Sequence, residues 1–471
     1  MIAFEDHAGI PPAMKRRILA AALSRGGDFA EIYAEYRLYS SIFMEEDIIK
    51  ETAETISLGV GIRVISGETT GYGYTNDPAF ESIRKAALTA ASIADSGKKP
   101  TIPRFRKTRP AGNLYPLTQP GHRATLEEKI EIVKRAYLAS RKSDPKIKKA
   151  KVLLQDHVQF VSVVNSEGEE AEDARPQIKL VCTAVAQKKR RRELGYSGGG
   201  GRVGLEYFER VLSPEEIGRE AAEEALFLLE AVEAPAGEMP VVLAPGHAGV
   251  LVHEAVGHLL EADFIRRKTS IFWDKLGKRV GSPLLTIYDD PTRASFRGSY
   301  NIDDEGTPPA KTLLIDRGVV HSFLQDRLSA RLMGRPLTGH GRRQDYTCIP
   351  IPRMSNTYVD AGRDDPEDIL RSVAKGIYAE KFEGGQVEDS GKFTFSISAG
   401  RLIEGGRLTA PIKQATLIGT NIDILQKIEK VGADLSFGLQ TGTCGKEGQE
   451  VPVTDGCPTI KISRMTVGGQ S

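Results

Sequence analysis

The sequence predicts an α+β protein: an N-terminal helix-and-meander domain over residues 1–235, then a β-rich C-terminal domain over 236–471 that carries the helix bearing His253 and His258. Three observations predict it. Amphipathic helical stretches precede strand-like runs twice in the first half, the break Ala234-Pro-Ala-Gly marks a change of texture, and beyond Leu284 short apolar runs alternate with Gly and Pro turns. Length permits this, since 471 residues allow up to about three units at roughly 150 residues each. Apolar residues at 40% and charged ones at 27% exclude a disordered, collagen-like or disulfide-scaffolded chain.

Pro11 to Arg25 reads as an amphipathic helix, followed by strand-like runs Phe29 to Tyr39, Ser41 to Lys50, Thr55 to Ser66 and Thr70 to Thr75. Asp77 to Asp95 is Ala-rich and helical. Gly97 to Gly121 carries five prolines, Pro100, Pro103, Pro110, Pro116 and Pro120, and reads as a loop. A second long helix, Thr125 to Arg141, leads into strands Lys148 to Asn165, Glu170 to Lys188 and Glu193 to Gly204, a loose duplication of the first part. Gly198 to Gly201 lacks the Gly-Lys-Ser/Thr of a phosphate loop and is expected to be a flexible hairpin tip. Ser213 offers an N-cap to a helix with Pro214 at its first position, running to about Val232. The boundary falls near Pro235 to Met239, where the apolar strand Pro240 to Ala244 begins. In the second domain Pro366 to Tyr378 and Asn421 to Val431 read as helices.

Lys plus Arg (64) against Asp plus Glu (63) leave a net +1, so no whole-chain field recruits nucleic acid or an anionic membrane. The apolar stretch Ile18 to Leu23 is short and sits in a helical pattern, so no signal peptide is expected. No run approaches the roughly 18–20 apolar residues of a spanning helix. Cys182, Cys348, Cys444 and Cys457 are scattered and form no C-x-x-C pair, which favours reduced thiols in the cytoplasm.

The chemistry concentrates in His247-Ala-Gly-Val-Leu-Val-His253-Glu254-Ala-Val-Gly257-His258-Leu-Leu-Glu261-Ala-Asp263-Phe, which contains His-Glu-x-x-x-His. The zinc-protease motif has one residue fewer, because an i, i+4 pair lies about 40° apart on a helix. An i, i+5 pair is separated by roughly 140° on an ideal helix. Shared coordination therefore requires an irregular turn within His253 to His258, such as a π-bulge, which Gly257 would permit. The competing reading makes the two histidines separate hydrogen-bonded groups and Glu254 a solvated helix residue. A catalytic zinc needs a third protein ligand and an open position. Glu261 is one candidate and is equally placed to orient an imidazole from behind. Cys444, in the glycine-flanked Thr441-Gly-Thr-Cys-Gly-Lys-Glu-Gly, is another; Cys182, Cys348 and Cys457 read as core filler.

The chain resembles the TldD side of the TldD/PmbA metalloprotease family, once described as modulators of DNA gyrase. The resemblance rests on Ser57-Leu-Gly-Val-Gly-Ile-Arg-Val, Ser66-Gly-Glu-Thr-Thr-Gly, the His253 motif through Phe264, and Tyr300-Asn-Ile-Asp-Asp-Glu-Gly-Thr. It continues with Pro352-Arg-Met-Ser-Asn-Thr-Tyr, Gly384-Gly-Gln-Val, Ser390-Gly-Lys-Phe, Ala415-Thr-Leu-Ile-Gly, Cys444-Gly-Lys-Glu-Gly-Gln and Thr466-Val-Gly-Gly. It implies a zinc peptidase with His253 and His258 as two ligands and Cys444, rather than Glu261, as the third. Glu254 is then the general base. It further implies a substrate class of small unfolded or modified peptides admitted to an enclosed cavity. The expected partner is a PmbA/TldE-type subunit lacking the metal residues, with a homodimer as the alternative. The rival function is a non-enzymatic regulatory or assembly subunit whose metal is structural. Arg342 and Arg343 with Asp345 and Tyr346 have the chemistry to bind a substrate terminus or stabilise an oxyanion, but a charged loop of this kind reads first as solvated; His340 is an active-site alternative that reads first as an incidental loop histidine, and His157 and His321 read as strand residues.

Overall fold

The structure is a computed structural model that describes residues 10–95, 101–108, 110, 112–388 and 390–468. Residues 97–100, 109 and 111 of the expected loop and Gly469 of the last matching segment lie outside the described residues. The protein is α+β.

The first half builds a seven-stranded sheet in the order Thr69–Thr75, Ile48–Ser66, Phe29–Glu45, Ile147–Asn165, Glu169–Lys188, with Arg191–Gly201 and the short Arg106–Lys107 both against Glu169–Lys188. Its two halves share one order: helix, three-stranded antiparallel meander, helix. Helices Pro12–Ala22 and Phe80–Ile93 flank the first meander, and Leu126–Lys142 and Pro214–Leu229 the second. The leading strands pair antiparallel at the centre, Glu31 opposite Asn165 through Glu45 opposite Lys151, so the duplication is a two-fold repeat within one sheet. Thr125 and Ser213 close reciprocal capping boxes with Glu128 and Glu216, which fixes both helix starts. The helices press on the outer strands: a Cβ at Gly73 would collide with the Ala86 carbonyl, and one at Gly195 with the Ala221 carbonyl.

Two expectations fail in this sheet. Ser41 to Lys50 is not one strand, because the chain reverses at Glu46 and Asp47, both left-handed with φ of 54° and 59°. Positive φ at both central residues is the turn whose twist matches paired strands. The tetraglycine is not a hairpin tip. It ends strand Arg191–Gly201, with Gly198 to Gly201 paired to Val181 through Ile178, and is buried under Tyr207 and Leu212.

The rest of the chain contributes an eight-stranded and a six-stranded sheet. Lys375–Val387, Gly237–Leu243, Ile460–Gly468, Ala415–Thr420 and Lys392–Glu404 pair in succession, and the last pairs again with the first, closing a ring. Ile287–Asp289, Asn356–Val359 and Thr454–Cys457 run side by side in the other sheet. Leu251, Val256 and Leu260 lie in one core with Ile377 and Phe382 of the ring and Ile287 and Val359 of the six-stranded sheet. Burying each such side chain contributes about 1.5–3 kcal/mol, which anchors the histidine segment rigidly. The two helices expected here are shorter. Pro366–Arg371 hands over to strand Lys375–Val387, and Asn421–Gln426 to Ile428–Val431. A further helix, Arg327–Met333, is capped by Asp326 and stopped by left-handed Gly334.

Buried charge ties the first sheet to this second part. Arg63 Nη2 donates to Glu31 at 2.8 Å and to Glu305 at 2.5 Å, with all three side chains no more than 1% exposed. Arg175 donates to Asp173 and Asp304, Asn301 to Asp173, and Arg343 to Glu31. The acidic run Asp303-Asp304-Glu305 is therefore a joint, and the charged loop at Arg342–Arg343 is buried rather than solvated.

Candidate metal centre

The helix that begins at Val250 changes pitch at His253. Residues His253–Gly257 form a π turn in which the His258 amide donates to the His253 carbonyl, the widening that the i, i+5 spacing requires. The Asn421 side chain donates to the Ala255 carbonyl, satisfying an acceptor within the turn. Gly257 serves a different purpose from the one expected. Its dihedrals are ordinary helical values, φ −56° and ψ −55°, and the absent Cβ leaves room for the buried Met354 thioether.

The turn brings the two imidazoles together, their centroids 5.2 Å apart and nearly perpendicular. Cys444 enters from the short hairpin Thr443–Lys446/Gln449–Pro452. Its Sγ lies 3.3 Å from His253 Nε2 and 3.3 Å from His258 Nε2, and the three candidate ligand atoms all fall within 4.8 Å of one another. A tetrahedral zinc with Zn–S near 2.3 Å and Zn–N near 2.0–2.1 Å sets its S and N donors about 3.5 Å apart, so this donor set fits that metal. Cys182, Cys348 and Cys457 lie outside this cluster.

Each imidazole is backed by a carboxylate on its other nitrogen. His258 Nδ1 is 3.0 Å from Glu261 Oε2. His253 Nδ1 is 2.6 Å from Asp455 Oδ1, close enough for an ion pair though off the line of a straight hydrogen bond. These contacts aim both Nε2 atoms at the thiol. Glu261 thus stands behind His258, and it also accepts from the Met354 amide and pairs with Lys446 Nζ at 3.0 Å. Burial alone would raise the Glu261 carboxyl, but Lys446 and His258 outweigh it and hold it at about 2. Burial pulls His258 down, yet Glu261 and Cys444 lift it to about 10. For Cys444, burial raises the thiol and the two imidazoles reverse that, leaving it well below the ordinary range.

Glu254 lies beside the trio. Its Oε2 is 3.9 Å from His258 Nε2, and its side chain is 32% exposed against 2% for His253, so access runs past Glu254 and His258. Sequence reasoning missed Asp455 and Lys446. Lys446 was within reach, since it follows Cys444 by two positions and shares its strand face; Asp455 sends no local signal. His340 is fully buried between Asp289 and Thr338, and His321 is exposed.

A π turn that aims two carboxylate-backed imidazoles at a cysteine sulfur defines a candidate metal-dependent hydrolase. The comparisons give the family. Residues 30–94, 120–229 and 236–469 match the first, central and C-terminal domains of PmbA/TldA metallopeptidases. The chain is 42% identical to "Metalloprotease TldD homolog" of Haemophilus influenzae over 94% of both chains. It is 33% identical to "Metalloprotease" of Methanothermobacter thermautotrophicus, over 94% of this chain and 96% of that one. This chain therefore belongs to the PmbA/TldD metallopeptidase family. The fold is shared with TldE of Thermococcus kodakarensis, at a TM-score of 0.76 and 19% identity over 97% of this chain and 100% of that one. It is shared also with a Thermotoga maritima protein assigned as a candidate modulator of a DNA gyrase, at 0.80 and 23% over 97% and 99%. Among the described residues no helix is long and apolar enough to cross a membrane.

Proposed function

We propose that this chain is a zinc-dependent peptidase that hydrolyses small unfolded or modified peptides, with its chemistry in residues 236–471 and its N-terminal domain in 1–235. The reading is carried by one observation: the Nε2 atoms of His253 and His258 and the Sγ of Cys444 converge while the Glu254 carboxylate stands beside them outside the cluster. A closed structural site would use a fourth protein ligand in place of that opening. Bound by the three residues, zinc supplies a Lewis acid for a peptide carbonyl and a means of activating water at neutral pH.

The chain's own residues do the rest. Asp455 and Glu261 hold the imidazoles in the tautomer that leaves Nε2 free to coordinate. Glu254, on the solvent side, accepts the proton of the attacking water and returns it to the leaving amine. Free cysteines fit a reducing cytoplasm. The partner we assign is a TldE-type subunit, whose fold the chain shares, with a homodimer as the alternative. The test is metal content together with hydrolysis of an unstructured peptide, comparing wild type and Glu254→Gln with and without that subunit. Glu254→Gln retains zinc and loses cleavage. If zinc is present and wild type is as inactive as the variant even with the partner, the centre is structural and the chain is a regulatory or assembly subunit.

A further inference from the structure

On the far side of the Cys444 hairpin lies a cavity of about 470 Å³. Cys444 and Lys446 are buried toward the histidines, whereas Thr443 and Gly445, on the alternate face of the same strand, line the cavity. Its opposite wall is the first sheet, at Arg37, His157 and Lys179. Seven Arg and Lys side chains line it against two carboxylates, Asp304 and Glu450.

Three of these cations are matched. Arg37 pairs with Glu35, Arg175 with Asp173 and Asp304, and Arg343 with Glu31. Arg202, Arg297, Arg342 and Lys179 have no carboxylate within ion-pair distance among the described residues. Arg202 donates through Nε to the Ser299 carbonyl, while its Nη1 is buried without a partner. Arg297 donates to the Gly442 carbonyl and the Thr443 hydroxyl, and Arg342 to the carbonyls of Met354 and Pro452. All three arginines are at least nine-tenths buried. Removing one ion from water costs several kcal/mol unless an opposite charge compensates, and carbonyl oxygens compensate only in part. Burial and the neighbouring Arg202 push Arg297 down to about 9, and burial with the neighbouring Arg175 pushes Arg202 down to about 10 against the pull of Tyr115.

We propose that this cavity is an oxyanion-binding site in which Arg202, Arg297, Arg342 and Lys179 hold a carboxylate or phosphate group. Guanidinium forks suit either anion. The same chemistry has two sources, the carboxylate at the end of a peptide chain and a free inorganic oxyanion. The proposal does not rest on the metal reading, since Thr443 and Gly445 present to the cavity the strand face opposite to that of Cys444.

The test is calorimetric titration of inorganic phosphate into the full, zinc-loaded chain at fixed ionic strength. Phosphate held at the metal is unaffected by Arg297→Gln and Lys179→Gln, so those variants separate the two seats. One saturable site is expected, weakened at least about tenfold by Arg297→Gln and by Lys179→Gln, the loss of one charge-assisted hydrogen bond. Lys179 is part-exposed on a strand, so its variant carries the test if Arg297→Gln does not fold. Lys427→Gln, which alters an exposed pair with Asp423, leaves the affinity unchanged. A short peptide and its C-terminal amide then compete with phosphate. Displacement by the free carboxylate alone identifies a chain end as the ligand, and displacement by neither identifies a free inorganic anion. The proposal is overturned if neither phosphate nor the peptide carboxylate binds saturably, or if both variants bind as tightly as wild type.

Discussion

Gly257→Ala sets two physical effects against each other at one atom. The residue has helical dihedrals, so alanine meets no backbone objection, and helix propensity alone makes the change stabilising by about 1 kcal/mol. Against that, the new methyl would overlap the thioether of Met354, which is completely buried. Overpacking of this kind costs about 1–3 kcal/mol, so the net effect is about 0–2 kcal/mol of destabilisation. Met354→Ala separates the two contributions. It costs about 2–5 kcal/mol by itself but clears the space, and in that background Gly257→Ala becomes stabilising. The coupling between the sites is then about 1–3 kcal/mol. Denaturant unfolding of the four proteins measures it, and zinc affinity of each reports whether the turn still presents His258. If Gly257→Ala has the same effect in both backgrounds to within about 0.5 kcal/mol, close packing is not the reason for glycine here.

Glu261→Gln removes the charge behind His258 and is expected to weaken zinc binding about 10–100-fold, read by competition with a chromophoric chelator; an unchanged affinity counts against the orienting role. Arg63→Met leaves Glu31 and Glu305 buried without their shared cation and is expected to cost about 3–5 kcal/mol, and a loss below about 1 kcal/mol in urea unfolding would mean the joint carries little. Asp326 has its carboxyl raised to about 6 by burial and by Glu305. Its folded form therefore binds more protons than its unfolded form between about pH 4 and 6, so stability falls as pH rises through that window and the loss is complete above it. Asp326→Asn keeps a capping oxygen for the Ser329 amide and removes that slope, gaining up to about 3 kcal/mol above pH 6 relative to pH 4. Parallel stability–pH curves for the two proteins would show the carboxyl is not perturbed.

What was legible in the sequence followed the range of each signal. Ser213 announces a helix start because capping is settled within four residues. The π turn was legible because a five-residue spacing cannot share a metal on an ordinary helix. The turn at Glu46–Asp47 was hidden because it reaches left-handed backbone without glycine. Gly198 to Gly201 misled for the opposite reason, since glycine marks both loose loops and the tightest contacts, and only the neighbours Tyr207 and Leu212 decide which. Cys444 stood level with Glu261 until the resemblance favoured it, and Asp455 was invisible because its meeting with His253 spans most of the C-terminal half. The helix readings overran at Pro366 and Asn421 because short apolar runs have no period that separates a helix end from a strand start.

The hairpin that carries Cys444 forms a two-stranded sheet of its own, four residues to a strand. Its sulfur lies 186 positions from His258 along the chain, so a metal gripped by both would act as a removable cross-link closing a very long loop. Chelation would then do more than silence chemistry: it would slacken one tether of the hairpin that divides the histidines from the cationic cavity. Protease nicking between Gly445 and Gly448, compared with and without zinc, would report that tether directly.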